Sequence, residues 1–121
     1  MVELIKFFKS FQYAFTGIYE AFKSEKNIKF HCLATLCVLV LGFVISLSLM
    51  QWCIIILTIG IVISIEMLNT SLEKLCDLVC KEHNEFIKKI KDISAGSVLV
   101  VSIAAFIIGV LIFGSRILAY L

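Results

Sequence analysis

The sequence predicts an all-α integral membrane protein: an N-terminal amphipathic surface helix followed by three transmembrane helices. Three observations carry this. No Asp, Glu, Lys or Arg occurs from Phe30 to Ile65, and none from Ile93 to Ser115. The segment before Phe30 instead repeats aromatic residues at helical spacing. With 61% hydrophobic residues in a chain of 121, a soluble domain would lack polar surface to cover its core.

The first charge-free stretch is too long for one crossing, which takes about 20 residues. Ser46, Ser48 and Gln51 mark a polar turn, and Trp52 fits an interfacial anchor. The expected spans are Phe30–Met50, Cys53–Leu72 with its helix running on to about residue 80, and Ile93–Phe113. Residues 1–29 form the surface segment, and 1–121 read as one domain. A cleavable leader would show a short apolar core followed by small residues near the N-terminus. That pattern is missing, so the first span is expected to stay.

Within the surface segment, Leu4, Phe7, Phe8, Phe11, Phe15, Ile18 and Phe22 recur at helical spacing, while Lys6, Lys9, Gln12, Thr16 and Lys23 fall largely elsewhere. This describes a helix lying in the interface with its aromatic face in lipid. Periodicity fits a plain anchor and a substrate-gating element equally.

Basic residues set the orientation. Lys6, Lys9, Lys23, Lys26 and Lys29 precede the first span, and Lys74, Lys81, Lys88, Lys89 and Lys91 lie between the second and third. The turn between the first two spans has none, and the C-terminal end has only Arg116. The positive-inside rule puts the N-terminus and second loop in the cytoplasm and the C-terminus outside, in a multi-pass plasma-membrane protein. A net charge of +2 gives no case for nucleic acid. The five cysteines, mostly within spans, are expected as free thiols. Cys76, Cys80 and His83 lack the fourth ligand of a zinc site.

The informative residues lie on the second span. Glu66, Asn69, Glu73 and Asp77, spaced by three, four and four, share one helix face within an arc of about 80°. From Cys53 to Glu66 a helix rises ~20 Å, about two-thirds of a ~30 Å hydrocarbon core. Glu73 lies ~10 Å further, at the cytoplasmic interface. Charge at lipid depth is expensive and marks function. Asp77 and Glu73 also fit solvated residues at a helix end, Asn69 fits a hydrogen-bonding residue between helices, and His31 fits an interfacial histidine without a role.

A second polar set stands at the other cytoplasmic helix ends: Glu25, Asn27 and His31 before and at the first span, Lys91 and Asp92 before the third, just ahead of Ala95 and Gly96. Three helices in one chain offer little shelter to so many polar groups, so neighbouring copies are expected to complete the faces. Carboxylates near an interface can hold Mg²⁺, which often keeps phosphate oxygens in its shell. A shielded Glu can act as a general base, and Lys91 can pair with phosphate. The set suits phosphoryl transfer from a water-side nucleotide to a membrane-side hydroxyl. The chain has neither a Gly-x-x-x-x-Gly-Lys loop nor a protein-kinase motif, so such a kinase would be of unrelated design.

Glu66-Met67-Leu68-Asn69-Thr70-Ser71-Leu72-Glu73 followed by Asp77 resembles the signature Glu-x-x-Asn-(Ser/Thr)-Ala-x-Glu-x-x-x-Asp of the small bacterial membrane lipid kinases, the prokaryotic diacylglycerol and undecaprenol kinase family. Lys91-Asp92-Ile93-Ser94-Ala95-Gly96-Ser97 resembles the second motif, and Ala14-Phe15-x-Gly17 with Glu25-x-Asn27-x-x-x-His31 the N-terminal region. Ser71 and Ser97 stand where alanine is usual.

The resemblance implies a homotrimer with active sites shared between subunits and Mg-ATP as donor to a membrane lipid alcohol. It implies Glu66 as general base, Glu25 and Glu73 as Mg²⁺ ligands, Asn69 and Asp77 in support, and Lys91, Asp92, Lys6, Tyr13, Glu82 and Asn84 on ATP. His31 and Ala95 would lie beside the lipid. The Glu-x-Asn-x-x-x-His form is similar to the Gram-positive branch, which implies undecaprenol as acceptor, with diacylglycerol the alternative. A proton-coupled transporter using Glu66 is the competing class. Against it, the polar groups gather at one interface, whereas transport needs a midplane site reachable from both sides. A non-catalytic assembly subunit gives no reason for the deep Glu66.

Overall fold

The computed structural model describes residues 1–121 as four helices: α1 (Val2–Ser24), α2 (Lys26–Val44), α3 (Leu49–Val79) and α4 (Glu85–Tyr120). The last three are long and apolar enough to cross a membrane. At 1.5 Å per residue α2 is ~28 Å long, close to the ~30 Å hydrocarbon thickness, whereas α3 and α4 reach ~46 and ~54 Å. The excess of α3 and α4 forms a polar hairpin at one end, joined through Cys80–Asn84.

The helix ends depart from the hydropathy reading in three places. The surface segment stops at Ser24, not at residue 29. Glu25 is extended (φ −122°, ψ 120°), and α2 begins at Lys26. Lys26 and Lys29 thus ride on the first turns of the spanning helix, where their stems can snorkel to the interface. The first span ends at Val44 rather than Met50. Ser46 there has φ 56°, and Leu47 N–H donates to Gly42 O at 3.2 Å. This is a Schellman closure with serine at the left-handed position glycine usually takes. Gln51 and Trp52 belong to α3, not to the turn. Ser48 Oγ accepts from Gln51 N–H at 3.2 Å, and Gln51 Oε1 accepts from Ser48 N–H at 2.9 Å, a reciprocal capping box. Finally, α4 starts eight residues before Ile93, capped by Asn84 Oδ1 on the N–H groups of Phe86 and Ile87. Hydropathy registers lipid thickness, and α4 continues into water.

Packing is concentrated between α3 and α4. The apolar core of Ile45, Leu47, Ile55 and Ile112, with Trp52 and Phe113 against it, lies at the end opposite the hairpin. There Arg116 Nη2 donates to Ser46 O, and Tyr120 Oη donates to Ile45 O at 3.1 Å, tying α4 to the α2–α3 turn. Trp52 packs beside Phe43, ring centroids 4.9 Å apart, and covers Gly42. A Cβ on Gly42 would meet Trp52 Cη2 at 2.7 Å and Leu47 Cδ1 at 3.0 Å. Gly42→Ala is therefore expected to destabilise by about 1–3 kcal/mol through overpacking. Thermal unfolding in micelles checks this. Trp52→Phe in the same chain should recover part of the loss.

Only the last part of α1 approaches the bundle. Ala21 is its one buried residue, and Lys74 Nζ of α3 donates to Ser24 Oγ at 3.1 Å. Phe7, Phe8, Phe11 and Phe15 are exposed, as a helix lying against lipid requires, while Phe22 near the bundle is half-buried. All five cysteines are free.

Candidate active site

The acidic face of α3 turns toward α2 and α4. Glu66 is completely enclosed, at 0% exposure, and neither carboxylate oxygen has a hydrogen-bond partner. Its neighbour is His31 of α2, with Nε2 at 3.4 Å from Oε2. One turn on, the buried Asn69 links two helices. Ser94 Oγ of α4 donates to Asn69 Oδ1 at 2.7 Å, and Asn69 Nδ2 donates to Glu73 Oε1 at 3.4 Å. This relay turns the half-buried Glu73 and leaves its other oxygen unengaged. Beyond it, Lys91 Nζ of α4 sits 2.5 Å from Asp77 Oδ1, and Lys88 Nζ sits 2.8 Å from Asp92 Oδ2.

The site therefore grades from dry to wet along α3. Burying one ionisable group without a close hydrogen bond is costly, so Glu66 is a poor structural choice and a good reactive one. Of the polar groups expected to need shelter, Glu66 and Asn69 are buried within one chain, while Asn27, Asp77 and Asp92 stay exposed. Glu66, Asn69, Thr70 and Ser94 are all buried within the single subunit. Ser94 of α4 reaches Asn69 across the helix pair, and within α3 Thr70 Oγ1 donates back to Glu66 O at 3.0 Å.

Three cavities bear on the site. A cleft of about 250 Å³ at the hairpin is lined by Asp77, Lys81, Glu82, His83, Asn84 and Lys91 among others. It unites Lys91, Glu82 and Asn84 of the expected nucleotide set. An open groove of about 580 Å³ runs between α2 and α4 past Phe30, His31, Val38, Phe106 and Phe113. A smaller cavity of about 140 Å³ lies between α2, α3 and α4 and is also bounded by His31.

Other expected residues stay apart. Lys6 and Tyr13 are exposed on α1, with no polar contact to α3 or α4. Ala95 is exposed on α4 and borders none of these cavities. Asp92 is exposed and engaged by Lys88. Glu25 occupies the α1–α2 junction without a side-chain cap or ion pair, next to Ser24, which meets Lys74. Glu25, beside Ser24 at the α1–α2 junction, and Glu73, beside Lys74 on α3, are thus two carboxylates without an ion-pair partner. The chain holds no cluster of three or more metal-ligating groups. Mg²⁺ is commonly held by one or two carboxylates with water and phosphate oxygens completing its shell.

Sequence reasoning passed over Ser94 as a participant. The available signal was a small hydroxyl residue three positions after Lys91, on the α4 face that also carries Lys91 toward Asp77. It also set His31 beside the lipid without relating it to Glu66. The two lie 35 positions apart, and nothing in their spacing links them.

An all-helical membrane protein with an enclosed carboxylate between an apolar groove and a charged cleft is an enzyme of the lipid–water interface in its layout. The family model for prokaryotic diacylglycerol kinase matches residues 12–113, and the chain belongs to that family of lipid kinases. Undecaprenol kinase of Bacillus subtilis is 45% identical over 111 residues, covering 92% of this chain and 90% of the relative. Diacylglycerol kinase of a Synechocystis species is 36% identical over 101 residues, covering 83% of this chain and 58% of that longer protein.

Proposed function

We propose that the chain transfers the γ-phosphoryl group of ATP to the hydroxyl of undecaprenol at the cytoplasmic face of the bacterial plasma membrane, with Glu66 as general base. The observation that carries this is the enclosed Glu66, set where His31 brings the apolar groove to the site and Asn69, Glu73 and Asp77 continue toward the charged cleft. The 45% identity to undecaprenol kinase supports the acceptor.

Glu66 takes the proton of the lipid hydroxyl. The lipid oxygen attacks the γ-phosphorus, the bond from that phosphorus to the β–γ bridging oxygen breaks, and ADP departs. Lys91 leaves Asp77 for the phosphates, and Asp77 holds it ready beforehand. Asp92, Glu82, Asn84, Lys6 and Tyr13 complete the nucleotide contacts, the Asn84 amide nitrogen being free while its oxygen caps α4. Glu25 and Glu73 would hold Mg²⁺, which neutralises charge on the transferring phosphoryl group. His31 and Ala95 lie on the lipid side.

Two features support a homotrimer with shared sites. The hairpin cleft, about 250 Å³, is smaller than the ~300–1,000 Å³ usual for small-molecule sites. Lys6 and Tyr13 also line no part of this cleft in one subunit; from Lys6 to Ser24 the helix rises roughly 27 Å. The basic ends before α2 and between α3 and α4 support a cytoplasmic N-terminus.

Diacylglycerol is the alternative acceptor, favoured by the 36% relative. The groove beside His31 is mostly apolar. It offers few donors to the two esters of diacylglycerol, and an unpaired polar group costs about 1–3 kcal/mol. Undecaprenol should therefore show a kcat/KM about 10–100-fold higher. Labelled-ATP assays with both alcohols in the same micelles test this. An equal or higher value for diacylglycerol overturns the acceptor and leaves the kinase standing.

A further inference from the structure

The expected place of His31 was beside the lipid, yet its nearest ionisable neighbour is the base itself. We propose that His31 is a positioning residue for Glu66: its imidazole fixes one carboxylate oxygen and leaves the other to take the hydroxyl proton. This rests on the reading of Glu66 as general base.

Glu66 is at 0% exposure, with both oxygens lacking a hydrogen bond, and His31 Nε2 at 3.4 Å from Oε2 is the one basic group within ion-pair reach. Four other basic groups near the hairpin are engaged elsewhere. Lys91 is on Asp77, Lys88 on Asp92, His83 on Glu85, and Lys74 on Ser24. An enclosed carboxylate with no partner is expensive, and a facing imidazole is what offsets it here.

His31 is itself held. Its carbonyl accepts from Thr35 Oγ1 at 2.7 Å, and Phe30 meets its ring edge-on at 6.2 Å. Charge-assisted N–H···O contacts run to about 2.7–2.9 Å. The 3.4 Å separation therefore leaves room to tighten, as contacts in substrate-free enzymes commonly do. His31 also borders both the smaller cavity and the open groove.

Three variants test the role: His31→Phe, His31→Gln and Glu66→Gln, assayed with labelled ATP against undecaprenol and against diacylglycerol in micelles. His31→Phe should lower kcat about 10–100-fold, the usual loss on removing an orienting partner, with little change in lipid KM. His31→Gln keeps an N–H donor and should recover most of it. A raised KM with kcat intact would make His31 a lipid contact and overturn the proposal. Equal losses in both His31 variants, accompanied by lost helicity, would make it structural and overturn it too.

The pair can also be read without turnover. The chain has two histidines, so ¹⁵N-histidine NMR in bilayers gives one set of ring signals for His31 and one for His83. Glu66→Gln should shift the His31 signals and leave those of His83 in place. An unmoved His31 signal overturns the pairing. Normal turnover in Glu66→Gln would instead remove the base reading and the catalytic part of this proposal with it. Loss in Glu66→Gln beside normal kcat in His31→Phe removes this proposal alone.

Discussion

Glu66→Gln is expected to lower kcat by about 10²–10⁴-fold, the share general-base catalysis commonly supplies, while KM for ATP stays close to its original value. The amide has the shape of the carboxylate but cannot accept a proton at neutral pH. Folding should survive, because Glu66 has no hydrogen-bonded partner to lose and the amide removes an enclosed charge. Glu66→Asp is the companion variant. It keeps the base but withdraws it by one methylene, and a misplacement of about 1 Å can cost ~10²-fold. Steady-state kinetics in micelles, with circular dichroism as a folding control, decide the matter. Near-normal turnover by a well-folded Glu66→Gln protein would move the base elsewhere.

Glu66, Asn69, Glu73 and Asp77 were legible in the sequence as one face because a helix repeats every 3.6 residues and charge is rare at lipid depth. The same logic gave the spans. It failed at their ends. Ser46 closes α2 by a left-handed turn that hydropathy cannot register, and Glu25 breaks the chain in extended form without a proline or glycine to announce it. The second failure was contact between helices. Ser94 on Asn69, Lys91 on Asp77 and His31 on Glu66 join residues 25, 14 and 35 positions apart. Such pairs depend on how α2, α3 and α4 rotate against one another, and side-chain packing sets that rotation. Sequence spacing fixes only which residues share a face.

The shelter around Glu66 shows why the rotation matters. Spacing alone left that shelter to neighbouring copies; in one chain the carboxylate is already enclosed, with His31 of α2 beside it. What one chain leaves open is the wet end, where Glu25, Glu73 and the small hairpin cleft stand.

Replacing the two candidate metal ligands is expected to act at that wet end. Glu73→Gln and Glu25→Ala should each move the Mg²⁺ midpoint of the rate upward by more than about tenfold, since even outer contacts of a metal ligand contribute 10–100-fold in affinity. At a fixed low Mg²⁺ concentration the rate should fall about 10²-fold, because the cation stabilises the charge of the transferring phosphoryl group by several kcal/mol. Neither change should unfold the protein. Glu25 makes no side-chain cap on α2, and Glu73→Gln can keep the bond from Asn69 Nδ2 through its amide oxygen. Raising Mg²⁺ should restore the rate in both variants, whereas no amount of Mg²⁺ should restore Glu66→Gln. That contrast separates a ligand from a base. Titrating Mg²⁺ against the initial rate for the three variants in one detergent checks it. Midpoints unchanged from the parent chain would assign Glu25 and Glu73 to the structure of the helix ends and place the metal on other oxygens.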